Sequence, residues 1–142
     1  PNRTVQFSRE KIPFEGVEFP TTAYMGVPIV ELTVNQQPLK FFLDTGAKLS
    51  YLNQQHISGY KSVGVEDDFY PGLGKFQTEC FEIPSTLNGK TFTVKYGLLP
   101  NILQMSLIVG GVDGIIGFDF FNNFKILLDI KNRSIKTAAT TP

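Results

Sequence analysis

Phe41-Phe42-Leu43-Asp44-Thr45-Gly46-Ala47 is the stretch on which the fold turns. An apolar run ends in one carboxylate, a small hydroxyl residue and a glycine. The run reads as a buried strand that delivers Asp44 to the point where the chain must turn. A lone carboxylate in a core is costly unless donors satisfy it. Thr45 and the backbone N–H of Gly46 are the nearby donors, and Gly46 lets another backbone or a ligand come close. The expectation is a buried, hydrogen-bonded Asp44 at a strand end, with the rest of the chain arranged around it.

Working outward, Val27–Val34 reads as a strand, because Ile29 and Val30 lead into an alternation through Leu32 and Val34. Asn35-Gln36-Gln37-Pro38 is a turn. Leu39–Leu43 is the return strand, apolar on both faces at its end, so it belongs in the middle of the core. After Ala47, Lys48–Leu52 reads as a second short strand and Asn53–Ile57 as one helical turn. Residues 58–68 are polar and glycine-containing and read as a loop. Then Tyr70-Pro71-Gly72-Leu73-Gly74 forms a glycine tip before a strand from Phe76 to Ile83. Glycines there permit positive φ and mobility. Two readings stand: an ordinary surface turn, or a flap whose aromatics and Leu73 touch a ligand.

Leu87-Asn88-Gly89-Lys90 is a strong hairpin signal, since Asn-Gly suits a two-residue type I′ turn. The next strand alternates, with Phe92, Val94, Tyr96 and Leu98 on one face and Thr91, Thr93 and Lys95 on the other. Pro100 ends it. Residues 101–111 hold an apolar patch readable as a strand, a short helix or a lid. Val112–Phe121 places Ile115-Ile116 between glycines. A short helix follows, capped by Asp119, with Phe120, Phe121 and Phe124 inward. Ile126–Ile130 is a strand, Lys131–Ser134 a turn, and Ile135 begins a last strand. Residues 1–26 read as an arm in which Val5, Phe7, Ile12 and Phe14 form short edge strands, and 137–142 as a frayed tail. The pattern predicts one domain over 1–142, with seven or eight short strands and at most two short helices: an all-β barrel.

Composition narrows the function. The 13 basic and 13 acidic residues balance and form no basic run, which argues against nucleic acid or an anionic membrane surface as partner. One Cys rules out an internal disulfide, and one His with one Cys rules out the usual zinc sites. No cofactor is expected. No apolar run of membrane-spanning length and no signal-peptide pattern appears, so a reducing, cytoplasmic setting is the expectation. His56 reads as a surface side chain, Cys80 as a small packed residue on a strand, and Asp67-Asp68 as a solvated pair. The Phe-rich segment 118–124 reads as core filling.

The chain resembles the retropepsin-like aspartic proteases, the single-lobe relatives of pepsin found in retroviruses, in Ddi1-type eukaryotic proteins and in bacteria. Three features carry the resemblance in the family's order: Asp44-Thr45-Gly46-Ala47 behind Phe42-Leu43, the tip Tyr70–Gly74, and Ile115-Ile116-Gly117 ahead of a short helix and a final hairpin. It implies a pepsin/retropepsin-like closed barrel with a glycine-tipped flap and one or two short helices. It also implies peptide hydrolysis by two facing aspartates that share a proton and activate a water between them. Asp44, Thr45 and Gly46 take the catalytic positions. Ala47, Lys48, the flap residues Tyr70, Pro71, Gly72, Leu73 and Gly74, and Ile116 take the substrate-contacting ones. This chain has one such motif, so the resemblance implies a homodimer that contributes Asp44 twice across a two-fold axis.

Three departures stand out. Lys48 occupies a position where viral members carry Asp, and its charge either faces Asp44 or points to solvent. Phe118 replaces the Arg that viral enzymes carry after Ile-Ile-Gly, which places the chain nearer the bacterial and Ddi1-like branches than the viral one. Residues 101–111 look inserted. An active endopeptidase is the first hypothesis. A non-catalytic module that binds peptides or mediates dimerisation is the second, and a small barrel enclosing an apolar ligand is the third.

Overall fold

The computed structural model describes residues 4–139. Among these residues eleven strands are arranged in two sheets. They are β1 (Val17–Pro20), β2 (Thr22–Tyr24), β3 (Val27–Val34), β4 (Gln37–Leu43), β5 (Ser50–Leu52), β6 (Gly64–Tyr70), β7 (Gly74–Leu87), β8 (Lys90–Gly97), β9 (Gly114–Ile116), β10 (Phe124–Asp129) and β11 (Ser134–Ala139). Two helices, α1 (Asn101–Gly110) and α2 (Phe118–Asn123), join a single 3-10 turn at Gln54–His56.

The larger sheet runs β2-β3-β4-β9-β5-β8-β7-β6. An additional pairing of β3 with β7, Thr33 with Thr86 and Val34 with Ser85, closes β3-β4-β9-β5-β8-β7 into a ring. That ring is the all-β barrel the alternation predicts. Val30, Leu32 and Val34 of β3 point inward while Glu31 and Thr33 point out. The β3–β4 turn takes left-handed backbone at both Asn35 (φ 53) and Gln36 (φ 63), the type I′ geometry that matches strand twist. Asn88-Gly89 does the same between β7 and β8, with φ 50 and 79, and sets Leu87 opposite Lys90.

Aromatics fill the barrel. Phe41 stacks on Tyr96 at 5.9 Å, and Phe92, Phe120 and Phe124 form a cluster at one end. The buried Tyr96 hydroxyl meets Ser85 Oγ at 2.8 Å, so neither polar atom is left unmatched inside. A second apolar group, Leu49, Tyr51, Cys80, Leu99, Leu107 and Val112, lies beneath α1. Gly111 ends α1 in a left-handed conformation (φ 67), where only glycine is free of strain.

Several expectations are corrected. Of the readings open for residues 101–111, the structure takes the helix, over Asn101–Gly110. Residues 64–68, read as loop, are the first strand of the long hairpin. Val5, Phe7, Ile12 and Phe14 form no strand, and the arm instead joins the body through β1, which pairs with β11. Residues 137–139, read as a frayed end, form half of β11, where Thr137 is buried between β1 and β10. Residues 140–142 lie outside those described. Helix α2 starts at Phe118 with Gly117 before it, so Asp119 falls inside the helix; its side chain is outside the described part. The strands outnumber the seven or eight expected, because short pieces such as β1, β2 and β9 hold too few residues to show a period.

Candidate active site

Strand β4 lies at the centre of the large sheet and pairs in parallel with β9, Leu43 opposite Ile116. Asp44 prolongs that ladder by one bond, its N–H donating to the Ile116 carbonyl at 2.9 Å. The chain then turns, and the Ala47 N–H returns to the Asp44 carbonyl at 3.2 Å. From the far side, the Phe118 N–H donates to the Ala47 carbonyl at 3.0 Å, and the Gly117 N–H donates to Ser50 Oγ, which is wholly buried. Residues 44–47 and 116–118 are thus laced together by main chain. A Cβ on Gly117 would lie 2.5 Å from the Ala47 carbonyl oxygen and 2.7 Å from that of Leu49, so the close approach demands glycine.

The Asp44 carboxylate is oriented through one oxygen. Gly46 N–H donates to Oδ1 at 2.9 Å. Thr45, the other expected donor, makes no hydrogen bond among the described residues. Asp44, Thr45 and Gly46 are all exposed, and Ala47 is half-buried. The expectation of a buried carboxylate is therefore corrected: the turn stands at the end of β4, and among the described residues nothing covers it. A Cβ on Gly46 would touch only Asp44 Oδ1 at 3.4 Å, which leaves its outer side open to another backbone. Ile116, placed with the substrate-contacting residues, is fully buried and serves the turn through its carbonyl oxygen instead. Its side chain points inward because β9 alternates, leaving Ile115 half-buried on the other face.

The hairpin of β6 and β7 brings Tyr70 opposite Gly74, with Pro71-Gly72-Leu73 at its tip. Gly72 and Gly74 have φ of +88° and +93°. Phe69, Tyr70 and Leu73 are exposed there. The base of the hairpin is attached to the segment that follows Asp44. Lys48 Nζ donates to the Asp67 carbonyl at 3.0 Å and lies 3.9 Å from Glu66, which also holds Lys95 at 3.2 Å. Lys48, its side chain 62% exposed, thus turns to the base of the hairpin at the solvent boundary rather than to Asp44. The buried Tyr51 hydroxyl donates to the Asp68 carboxylate, so Asp67-Asp68 is not simply a solvated pair. Burial, then this bond to a carboxylate, pushes the Tyr51 phenol well above its ordinary pKa. A groove of about 560 Å³ runs along this attachment, lined by Lys48, Asp67, Asp68, Phe69, Lys75, Phe76 and Gln77.

Asp113 is a brace that the sequence does not reveal. Its N–H donates to the Lys40 carbonyl at 2.7 Å, its Oδ2 accepts from the Lys40 N–H at 3.0 Å, and its carbonyl accepts from Asn53 N–H at 2.7 Å. Its Oδ1 meets His56 Nε2 at 3.1 Å. His56, read as a surface side chain, is 15% exposed and packed against this brace. Ser50 and Tyr51 are missed as well, each bonded to a residue far along the chain. Cys80 is buried on β7, as expected. Among the described residues no group of three or more His, Cys, Asp or Glu could hold a metal ion, and no helix is long and apolar enough to cross a membrane.

No protein-family model and no curated protein sequence matches the chain. Solved structures do. A retropepsin-like aspartic protease from Rickettsia conorii superposes with a TM-score of 0.62 at 19% identity, covering 89% of this chain and 94% of that one. EIAV protease complexed with the inhibitor HBY-793 gives 0.52 at 20% identity, covering 71% and 92%. The likeness is one of fold, shared with a viral and a bacterial member alike.

Proposed function

We propose that this chain of retropepsin fold is an aspartic endopeptidase that cleaves extended peptides as a homodimer, with Asp44 supplied by each copy. The observation that carries the reading is the Asp44 turn. One carboxylate is fixed at the end of the central strand, one oxygen is held by Gly46 N–H, and the surface around it is open. A second copy placed on that surface brings two carboxylates together, and one proton is then shared between them.

The chemistry follows from that pair. The ionised Asp44 takes a proton from a water as the water oxygen bonds to the scissile carbonyl carbon, and the protonated Asp44 gives its proton to the carbonyl oxygen. The tetrahedral intermediate then collapses. The amide nitrogen accepts a proton, the C–N bond breaks, and a carboxylic acid and an amine leave. Thr45, which makes no hydrogen bond among the described residues, would bond across the two-fold axis. Gly46 and Ala47 admit the substrate backbone. Lys48, Tyr70, Pro71, Gly72, Leu73 and Gly74 border it, and the hairpin closes over a peptide that adds as a strand.

The test is cleavage of a diverse peptide library from acid to neutral pH, with wild type beside Asp44→Asn. Asp44 is exposed and contributes no core packing, so the variant keeps the fold. Turnover falls by at least about 10²-fold, the lower range for a lost acid–base group. Sedimentation at high concentration with a peptide inhibitor should show two copies. A protein that binds peptides saturably without cutting them is instead a non-catalytic module, and one that stays a monomer removes the shared-proton mechanism.

A further inference from the structure

The hairpin's attachment has no part in the chemistry above, yet it is built from specific side chains. β6 is the edge of the large sheet, and among the described residues β7 is its sole strand neighbour. Three consecutive β6 residues are gripped from the body: Glu66 by Lys48 and Lys95, the Asp67 carbonyl by Lys48, and the Asp68 carboxylate by Tyr51. Tyr51 is 3% exposed, and a buried phenol needs an acceptor. The acceptor it uses belongs to the hairpin. Its ring also lies 6.4 Å from that of Phe76, and Phe76 is the register partner of Asp68. One side chain therefore touches both strands of the hairpin at a single rung. Beyond that rung, no hydrogen bond or ion pair among the described residues joins 69–75 to the barrel.

We propose that Tyr51, assisted by Lys48, is a positioning residue that clamps the Asp68–Phe76 rung and makes it the pivot of the hairpin, so that only residues 69–75 swing to admit a ligand. Both clamp residues directly follow the Asp44 turn, so the pivot is set by the same segment that sets Asp44. The ligand's identity as a peptide rests on the function proposed above; the clamp does not.

Amide hydrogen exchange on the full chain tests it, comparing wild type, Tyr51→Phe, Asp68→Ala and the double variant. Tyr51→Phe keeps the ring and removes only the donor. Exchange at 64–68 and 76–80 should quicken about tenfold, as loss of a single well-placed hydrogen bond allows, while β3 and β4 keep their protection. Asp68→Ala removes that bond and also the acceptor of the Phe69 N–H at 2.8 Å, so it should quicken exchange at least as much, and the double variant should not exceed Asp68→Ala, because the Tyr51 bond is already gone. Lys48→Met should quicken exchange at 66 and 67 by a smaller factor. Where peptide turnover is measurable, Tyr51→Phe should raise KM more than it lowers kcat. Unchanged exchange at 64–68 in Tyr51→Phe overturns the proposal. So does an additive double variant, or an equal rise across β3 and β4, which would make Tyr51 a packing residue only. Absence of cleavage in the wild type would remove the peptidase reading and leave the exchange result standing.

Discussion

Two glycine-bearing turns stand at the two ends of this molecule's working region, and they are held in opposite ways. The turn over residues 44–47 is tied by backbone bonds to Ile116 and Phe118 and by a close approach at Gly117. The turn at Pro71–Leu73 has one bond of its own, Leu73 N–H to the Tyr70 carbonyl at 3.1 Å, and open space around Gly72 and the adjoining Gly74. Main-chain lacing leaves a group one position. A two-stranded ribbon gripped only at its base leaves its tip many. The proposed peptidase would need both: a fixed carboxylate and a cover that moves.

Damage to the first turn should therefore be expensive and damage to the second cheap. The largest effect is expected at Gly117→Ala. The new methyl meets two backbone carbonyls that have no room to yield, at a cost of about 3 kcal/mol, the upper end for overpacking. Thermal or urea unfolding measures it, and a wild-type midpoint would show that the lacing is looser than its distances. Next comes Asp113→Ala, which strips the Lys40 N–H and His56 of their acceptor and should lose about 2 kcal/mol in the same assay. Ser50→Ala leaves the buried Gly117 N–H unpaired and should cost about 1–2 kcal/mol, with Asp44 displaced enough to lower turnover.

At the boundary between the regions, Tyr51 gives a pH signature. Its phenol holds its proton more tightly folded than unfolded. The contribution is complete below the unfolded tyrosine pKa, about 10, and is lost as pH rises above it, where the unfolded chain binds fewer protons. Tyr51→Phe should flatten that alkaline loss, and an unchanged alkaline limb would argue against the Asp68 bond. The smallest effect is expected at the tip. Gly72→Ala strains a positive φ but meets nothing, so unfolding should shift by no more than about 1 kcal/mol while peptide KM changes. A global loss as large as that of Gly117→Ala would erase the contrast.

The sequence and the structure agree where physics is local. β3, β4, the Asn88-Gly89 turn and β8 are legible because alternation and turn chemistry need no distant partner. β6 escapes notice because a hairpin wet on both faces has no apolar face to encode, and Glu66, Asp67 and Asp68 look like loop. Helix α1 is hidden for the opposite reason. Ile102, Met105, Ile108 and Val109 are exposed on it while Leu107 is buried, so apolar residues ring it and no period emerges. In the site, Asp44 and Gly46 are readable from their own stretch. Ser50, Tyr51 and Asp113 are not, since each acts on a partner far along the chain, and such pairings leave no trace in spacing. The exposure of Asp44 was misread because an apolar strand says where a residue is delivered, not what lies above it.

The bond from Asp113 to Lys40 joins residues 73 apart, and the Asp44 turn leans on the same late segment. Order of assembly follows from this. The β3–β4 hairpin can form from its own residues, but the turn at its end stays unsupported until β9 has been made, threaded between β4 and β5 and paired in parallel with β4. Contacts of such long range are slow to close. A chain still lacking residues 114–118 would carry the Asp44 motif in full and yet hold it in no fixed shape. In time as well as in space, the carboxylate is among the last things this protein puts in place.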